Sequence, residues 1–488
     1  MPTEFVRMDR STSKSLLWSS LDKFGVQVFA LIVGIFTTRM LSPDDFGVIA
    51  ALAIFTALSN VLVDSGVSAA LIRRESNTEE EYAAAFLFNL GLSIVLYFAL
   101  WGASGSIASY YEMEEINPLS KFVFLAIVIN SFGIIQTVRL TREMRFKEMS
   151  IANLVSAVGS AMLTIFLVLR GYTYWAIAWQ QVSLVAIRVV MLWIMGGWLP
   201  SSRPDFSVIR KIFSFSIFLL LTSTLNIIVK YIYNFKIPKI YPQEQLGYYD
   251  RSRKFQEIPS AVVTGAVGSV AYPILSKLNS DSKAQLAFFR KIVRVNAFLI
   301  FPMMIGLISV IDNLTVVVLT AKWLPMIPYF QILCLAAIFT PFQTLCLTTL
   351  NAMGKSSLNM WLEIGRNLLT LLLFFVFSAT IYQMLWGFSL AMFVSYVVNM
   401  IVVGSRLRYS LFDHIKDIFP YLAISLAMAI VCLFVGKVEL TVLPIKIRLI
   451  TALLLQILIG FGFYVGVSYM LGSKVISDCL ELIFKKKR

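Results

Sequence analysis

Between Gly247 and Ser260 the chain reads GYYDRSRKFQEIPS, which sets Asp250, Arg251, Arg253, Lys254 and Glu257 within about two helical turns. On a helix, Asp250 can pair with Lys254 and Arg253 with Glu257, each four residues apart. Arg251 has no acidic residue at that spacing, so its guanidinium is the one best placed to meet an anion from outside the helix. The chemistry on offer is binding: a guanidinium grips an oxyanion with two parallel N–H donors, and an ammonium meets it as a point charge. No GxSxG, phosphate-binding loop, HExxH or pair of loop carboxylates accompanies these cations, so the chain does not read as an enzyme. Cys334, Cys346, Cys432 and Cys479 are scattered, three of them in apolar stretches, and read as small buried hydrophobes; neither a metal nor a cofactor is expected. The single histidine, His414, falls in a basic loop and reads as a solvated surface residue.

Further polar residues stand in stripes four apart, on one slowly drifting helix face: Thr222, Asn226, Lys230 and Asn234 in one segment, Thr56, Asn60 and Asp64 in another. Small polar residues of this kind line a cavity or hold helices together, and the spacing alone leaves both open. Lys230 and Asp64 are ionisable groups within apolar stretches and read as functional, Asp64 as a site for ion coupling. Asp22 and Lys23 open the first apolar segment, Arg188 lies within the sixth, and Glu363 and Arg366 stand three apart in the eleventh.

The elements that must position these groups are membrane helices. The 488 residues are 58% hydrophobic and 14% charged, with a mean hydropathy of +0.79, whereas a soluble protein is roughly a quarter charged. Apolar runs of bilayer-spanning length recur at Phe24–Leu41, Gly47–Ile72, Ala83–Ala103, Lys121–Val138, Ile151–Leu169 and Tyr174–Trp198. After a polar break come Ile212–Phe235, Gly247–Leu275, Ile292–Ile311, Met326–Leu350, Leu358–Ala379, Leu385–Val403, Ile418–Val435 and Ile447–Leu471. These runs predict an all-α integral membrane protein of about fourteen transmembrane helices. The alternating strands of an outer-membrane barrel are absent.

The net charge of +15 does not point to nucleic acid, because the basic residues gather in every second loop: around Arg73, Arg142, Arg203, Lys283, Lys355, Arg406 and the tail Lys485 to Arg488. The positive-inside rule then puts both termini in the cytoplasm, which requires an even number of helices. The polar start runs into the first apolar segment without a small-residue cleavage site, so no cleavable signal peptide is expected.

The chain also repeats itself. RMLSPDDFG at Arg39–Gly47 returns as KIYPQEQLG at Lys239–Gly247, the proline shifted by one place, and SGVSAALIRR at Ser65–Arg74 is echoed by GSVAYPILSK at Gly268–Lys277. An interval of about two hundred residues predicts two six-helix bundles in the same orientation, residues 1–210 and 211–416, followed by two added helices in 417–488. Parallel repeats of this kind are a transporter architecture with its binding site at the repeat interface. If the helix after each motif opens at its glycine, the charges of 250–257 lie at membrane depth, where an unpaired one costs roughly 2.5 to 3.5 kcal/mol. The rival reading starts that helix near Ile258 and leaves the charged turn as a solvated cap.

The stretch LLWSSLDKFGVQVFALIVGIFTTRMLSPDDFGVIAALAIFTALSNVLVDSGVSAALIRRE, with LGYYDRSRKFQEIP, resembles the polysaccharide-transporter family of Wzx-type (WzxC-like) flippases, in the multidrug/oligosaccharidyl-lipid/polysaccharide exporter superfamily. The likeness spans nearly the whole chain. It implies a multi-pass protein of the bacterial inner membrane that moves an undecaprenyl-pyrophosphate-linked oligosaccharide from the cytoplasmic to the periplasmic leaflet by alternating access. The implied setting is the assembly of capsule, exopolysaccharide or the O-antigen of lipopolysaccharide. It also implies that Ile418–Val435 and Ile447–Leu471 flank a groove for the lipid tail. Such flippases use cavity cations on helices 1 and 8, which promotes Lys23, Arg251, Arg253 and Lys254 as pyrophosphate ligands, with Lys230 beside them. Asn60 and Asn226 become hydrogen-bonding partners for sugars; Arg188, Glu363 and Arg366 complete the candidates. The expected partners are the lipid-linked oligosaccharide, membrane lipids, and the polysaccharide polymerase with its assembly machinery; the chain is expected to act as a monomer. A drug or cation antiporter of the same fold would want an acidic, aromatic site where this chain concentrates cations. A membrane polymerase or ligase would want a large outer loop, and the longest here is about fifteen residues around Tyr110–Pro118.

Overall fold

The computed structural model describes residues 29–64, 66–437, 444–473 and 475–476. All regular structure among them is helical, as expected where no water is available to satisfy an open strand edge or a bare loop. The chain divides into two compact units, residues 1–250 and 251–488. Unit 1 carries α1 (Phe29–Met40), α2 (Pro43–Arg73), α3 (Glu79–Tyr111), α4 (Ile116–Arg142), α5 (Phe146–Leu169), α6 (Tyr174–Gly196) and α7 (Ser207–Ile240). The division falls within α8 (Gln243–Lys277). Unit 2 carries α9 (Ser282–Leu319), α10 (Ala321–Ala352), α11 (Ser356–Val376), α12 (Ile381–Leu407), α13 (Leu411–Gly436) and α14 (Ile447–Met470). Among the described residues twelve of these helices are long and apolar enough to cross a membrane, and with α1 and α7 the series agrees with a count near fourteen. The protein is a multi-pass membrane protein. Large apolar side chains such as Phe98, Phe166, Ile194, Phe434, Leu458 and Phe461 stand exposed on its helices, a surface that suits lipid and not water.

The helices run further than their apolar cores because polar residues cap them. Ser42 and Asp45 form a reciprocal capping box at the start of α2, with Pro43 at its first turn; Thr78 and Glu81 do the same for α3, and Asp281, Thr380 and Ser410 cap α9, α12 and α13. This corrects two expectations. The segment around Tyr110–Pro118, expected as an outer loop, is mostly helix, with only residues 112–115 between α3 and α4. His414 is no surface residue: it lies in the first turn of α13 at 2% exposure, because that helix starts at Leu411 and not at Ile418.

Within unit 1, Val67, Leu71, Phe86, Ile135 and Val138 pack with Tyr82 and Trp198. Polar ties close the same end. Glu79 receives Arg139 Nη1 at 2.7 and 2.9 Å and Trp198 Nε1 at 2.6 Å, while Arg139 lies over the rings of Tyr82 and Trp198. Arg142 donates to the Leu71 and Glu75 carbonyls. Within unit 2, α9 runs through the core, where Phe289, Val293, Ile300 and Met304 are buried against Phe330, Phe342 and Met400. One glutamine joins α14 to both α9 and α13. Gln456 accepts from Asn313 Nδ2 at 2.9 Å and donates to the Cys432 carbonyl at 2.9 Å. Gly436 leaves room for that amide, since a Cβ there would lie 2.2 Å from Gln456 Nε2. Cys334, Cys346 and Cys432 are buried, as small hydrophobes would be; Cys479 lies outside the described residues.

Candidate functional site

The two copies of the repeated motif meet. A Cβ on Gly47 would lie 2.1 Å from the Gln243 carbonyl oxygen, and a Cβ on Gly247 would lie 1.9 Å from the Pro43 carbonyl oxygen. Each glycine thus lets the first turn of one helix rest on the first turn of the other, and the contact is reciprocal, with residue numbers offset by 200 in both directions. The helices start at Pro43 and Gln243, four residues before their glycines, because a proline precedes or opens each first turn. The glycine is therefore a contact residue and not the first residue of the helix, which corrects the expected start.

The early start also overturns the solvated-cap reading of the charged turn. α8 is continuous from Gln243 to Lys277, so residues 250–257 form its third and fourth turns. Asp250 and Arg251 are each 7% exposed, Ser252 is fully buried, and Gln256 is 7% exposed. Arg253 Nε donates to Glu257 Oε1 at 3.0 Å, the pair expected from their spacing, and Lys254 is exposed. Ser252 Oγ donates to the Met326 carbonyl at 3.0 Å, tying the charged turn to the start of α10. The start of α10 follows an unusual backbone: a π turn at Thr315–Leu319, then Thr320 at φ 113°, in a region that β-branched residues rarely adopt.

The other predicted residues are spread through the fold. In unit 1, Asn60 Oδ1 accepts from Asn130 Nδ2 at 3.1 Å, joining α2 to α4. Asn226 is half-buried on α7 and Lys230 is exposed there, its ammonium 5.7 Å from the Tyr231 ring centroid. One turn on, Asn234 is fully buried and donates to the Ala50 carbonyl at 3.0 Å, so this end of the stripe joins helices. Asp64 accepts from the backbone N–H and the hydroxyl of Ser68, capping the segment Val67–Arg73 where α2 breaks at Gly66, φ 71°. Arg188 is half-buried on α6. In unit 2, Arg366 Nη2 and Glu363 Oε1 lie 3.6 Å apart, the pairing expected from their spacing. Lys23 lies outside the described residues.

Sequence reasoning missed the polar cluster at the start of α13. Asp417, 7% exposed, is gripped by Arg290 and Arg294 of α9 and by the Tyr409 hydroxyl at 2.8 Å. His414 sits behind it between the hydroxyls of Tyr396 and Tyr409. The available signal was an acid inside the first turns of a very apolar helix, together with two arginines one helical turn apart.

The comparisons with known proteins agree with this architecture. A family described as "Polysaccharide biosynthesis protein" matches residues 36–328. An uncharacterized membrane protein in the cps region of Klebsiella pneumoniae is 23% identical over 481 residues, 96% of each chain. The teichuronic acid biosynthesis protein TuaB of Bacillus subtilis is 23% identical over 85% of this chain and 86% of its own. Among solved structures, lipid II flippase MurJ in an inward closed conformation superposes with a TM-score of 0.73 at 14% identity, covering 94% of this chain and 100% of that one. Its likeness establishes the fold, that of the multidrug/oligosaccharidyl-lipid/polysaccharide exporters. The match over residues 36–328 makes the chain a member of the polysaccharide biosynthesis protein family.

Proposed function

We propose that this protein is a flippase that carries a pyrophosphate-linked oligosaccharide on its polyprenyl anchor across the bacterial inner membrane, from the cytoplasmic leaflet to the periplasmic one. The family is described as polysaccharide biosynthesis, one relative is a teichuronic acid biosynthesis protein, and the structural neighbour is a lipid II flippase. The observation that carries the reading is the cationic turn of α8: Arg251, Arg253 and Lys254 lie inside one continuous helix, with Arg251 at 7% exposure. A pyrophosphate cannot shed its hydration into hydrocarbon, and cations held in a shielded site replace that hydration. Arg251 leads this role. Arg253 is oriented by Glu257, and Lys254 adds an exposed point charge. Lys23 and Lys230 extend the phosphate ligands, and Asn60 and Asn226 serve the sugars. Asp64 is the candidate for coupling to a proton or sodium ion, and Arg188, Glu363 and Arg366 are secondary members of the site. The working parts are a six-helix lobe in 1–210, another in 211–416, and the added helices of 417–488. The site is exposed to one side of the membrane and then the other, with no bond made or broken.

The test is transport in reconstituted vesicles. Loss of one charge-assisted hydrogen bond to an anion is worth roughly 1.5 to 3 kcal/mol, about tenfold to over a hundredfold in affinity. Arg251→Ala should lose transport at normal membrane abundance, and Arg251→Lys should recover part of it, keeping the charge without the bidentate fork. A phosphate-free substrate analogue should move equally well in wild type and variant. Full activity of the Arg251, Arg253, Lys254 triple alanine variant overturns the reading.

A further inference from the structure

The two copies of the repeat diverge at a matched triplet. Where α2 reads Ala51, Leu52, Ala53, α8 reads Arg251, Ser252, Arg253, offset by 200 residues. The middle residue is buried in both, Leu52 at 1% exposure and Ser252 at 0%. Packing alone favours the leucine, whose larger side chain makes more dispersion contacts, and a buried hydroxyl is tolerated only with a partner. Ser252 finds one on another helix: its Oγ donates to the Met326 carbonyl of α10 at 3.0 Å. So the copy whose flanking residues are alanines fills the middle position by size, and the copy whose flanking residues are arginines gives up that packing for a directed bond.

Successive residues of a helix stand about 100° apart, so Arg251 and Arg253 leave α8 to either side of Ser252. A bond on the middle residue therefore fixes the rotation of the turn about the helix axis, and with it the direction in which both side chains set out. The ladder of α8 does not fix that rotation alone, because Pro259 has no N–H for the Phe255 carbonyl and the helix is weakened just after the charged turn. The far end of the bond is firm. Met326 is buried between fully buried Trp323 and buried Phe330, and the backbone leading to it holds Thr320 at φ 113°, a conformation that persists only where its surroundings impose it. Arg253 is already oriented through Glu257, so Arg251 is the cation that gains most from the bond.

We propose that Ser252 is a positioning residue for anion binding: its bond to the Met326 carbonyl holds the charged turn of α8 in the rotation that presents the Arg251 fork to a pyrophosphate. The inference rests on the reading of Arg251 as the leading phosphate ligand. A two-donor grip tolerates a misalignment of only about 10–20°, so a turn released from Met326 keeps its charge and loses its geometry.

Inorganic pyrophosphate is titrated against the full chain in detergent, with binding read by calorimetry and the melting temperature recorded without ligand. Arg251→Ala should weaken binding about tenfold or more. Ser252→Ala removes no charge and should still weaken it severalfold. In the Arg251→Ala background the same Ser252→Ala change should cost much less than in wild type, because no Arg251 fork is left to position. Equal losses in the two backgrounds would show that Ser252 does not act through Arg251, which overturns the proposal. A bond that only joins α8 to α10 would lower the melting temperature of Ser252→Ala and leave its pyrophosphate affinity at the wild-type value, which overturns it as well. A loss in Arg251→Ala with none in Ser252→Ala strikes this inference alone. If wild type does not bind pyrophosphate, or Arg251→Ala binds it equally well, the reading of the cationic turn falls and takes the role of Ser252 with it.

Discussion

α2 and α8 open in the same way and then part. Each rests its first turn on the other through Gly47 and Gly247, and the five residues after each glycine are buried: Val48, Ile49, Ala50, Ala51 and Leu52 in α2, Tyr248, Tyr249, Asp250, Arg251 and Ser252 in α8. Burial is thus a property of the repeated position, while the chemistry placed there differs by copy. In α2 the position is filled as any core position would be. In α8 the same burial holds an acid, a base and a hydroxyl, which packing alone does not call for.

The strongest way to break this comparison is to put the second chemistry into the first copy. Ala51 is fully buried at the position corresponding to Arg251. Ala51→Arg should cost more than about 3 kcal/mol, the scale for an unmatched cation at such depth, and should abolish membrane accumulation. Arg251→Ala should leave accumulation within about twofold of wild type while removing transport. If Ala51→Arg accumulates normally, the two positions are not equivalent in burial and the contrast fails.

The shared contact gives the next largest effect. Gly47→Ala and Gly247→Ala each drive a methyl into a backbone carbonyl of the opposite helix, which cannot rotate away. Each should lower stability by about 1 to 3 kcal/mol, and by similar amounts, because the contact is reciprocal. Melting temperatures in detergent decide this; a large loss for one glycine and none for the other would show that the crossing is not shared.

Much of this was legible before any coordinates, and for a local reason. The membrane class follows from runs of apolar residues, and the repeat from motifs in matching order, both of which a chain displays without folding. The start of α8 was not legible, because hydrophobic patterning ends where charge begins and a helix sustained by its caps and neighbours goes on past that point. The cluster around Asp417 was invisible because Arg290 and Asp417 are 127 residues apart, so only the packing of α9 on α13 brings them together. His414 was misjudged for the same reason: its neighbours in sequence are basic, while its neighbours in space are Tyr396, Tyr409 and Phe342. Asn60 shows the limit from the other side. Its stripe was legible, but its bond to Asn130 across α4 serves helix packing as well as it would serve a sugar.

A smaller effect distinguishes the copies further along. Asp64 in α2 corresponds to Thr264 in α8, whose hydroxyl only donates back to the Ser260 carbonyl. Asp64 instead caps the segment after the break at Gly66. Asp64→Ala should cost about 1 kcal/mol as a lost cap, and Asp64→Asn less, since an amide oxygen still accepts from the Ser68 N–H. As the coupling site, Asp64 should lose proton or sodium dependence of transport in Asp64→Asn with the fold intact. Unchanged ion dependence in vesicles leaves it a cap alone.

The smallest expected effect lies at the basic residue that opens the second motif. Lys239 Nζ meets Glu112 at 2.8 Å and lies over the Tyr110 ring, so it joins the end of α7 to the end of α3. The hydrogen bond and charge of Lys239 hold the Glu112 carboxyl below the usual range for a glutamate. A folded-state pKa below the unfolded one means that the pair stabilises above the unfolded value, about 4.3, and that its contribution is lost as pH falls through the folded value. Glu112 is largely exposed and its pair is screened, so Lys239→Gln should lower the melting temperature less than Asp64→Ala does. The difference from wild type should be present near pH 7, shrink with added salt, and close as the buffer is acidified below the glutamate range. A difference that persists unchanged in acid would mean that Lys239 stabilises through its stem and the Tyr110 ring, and that the charge on Glu112 is incidental.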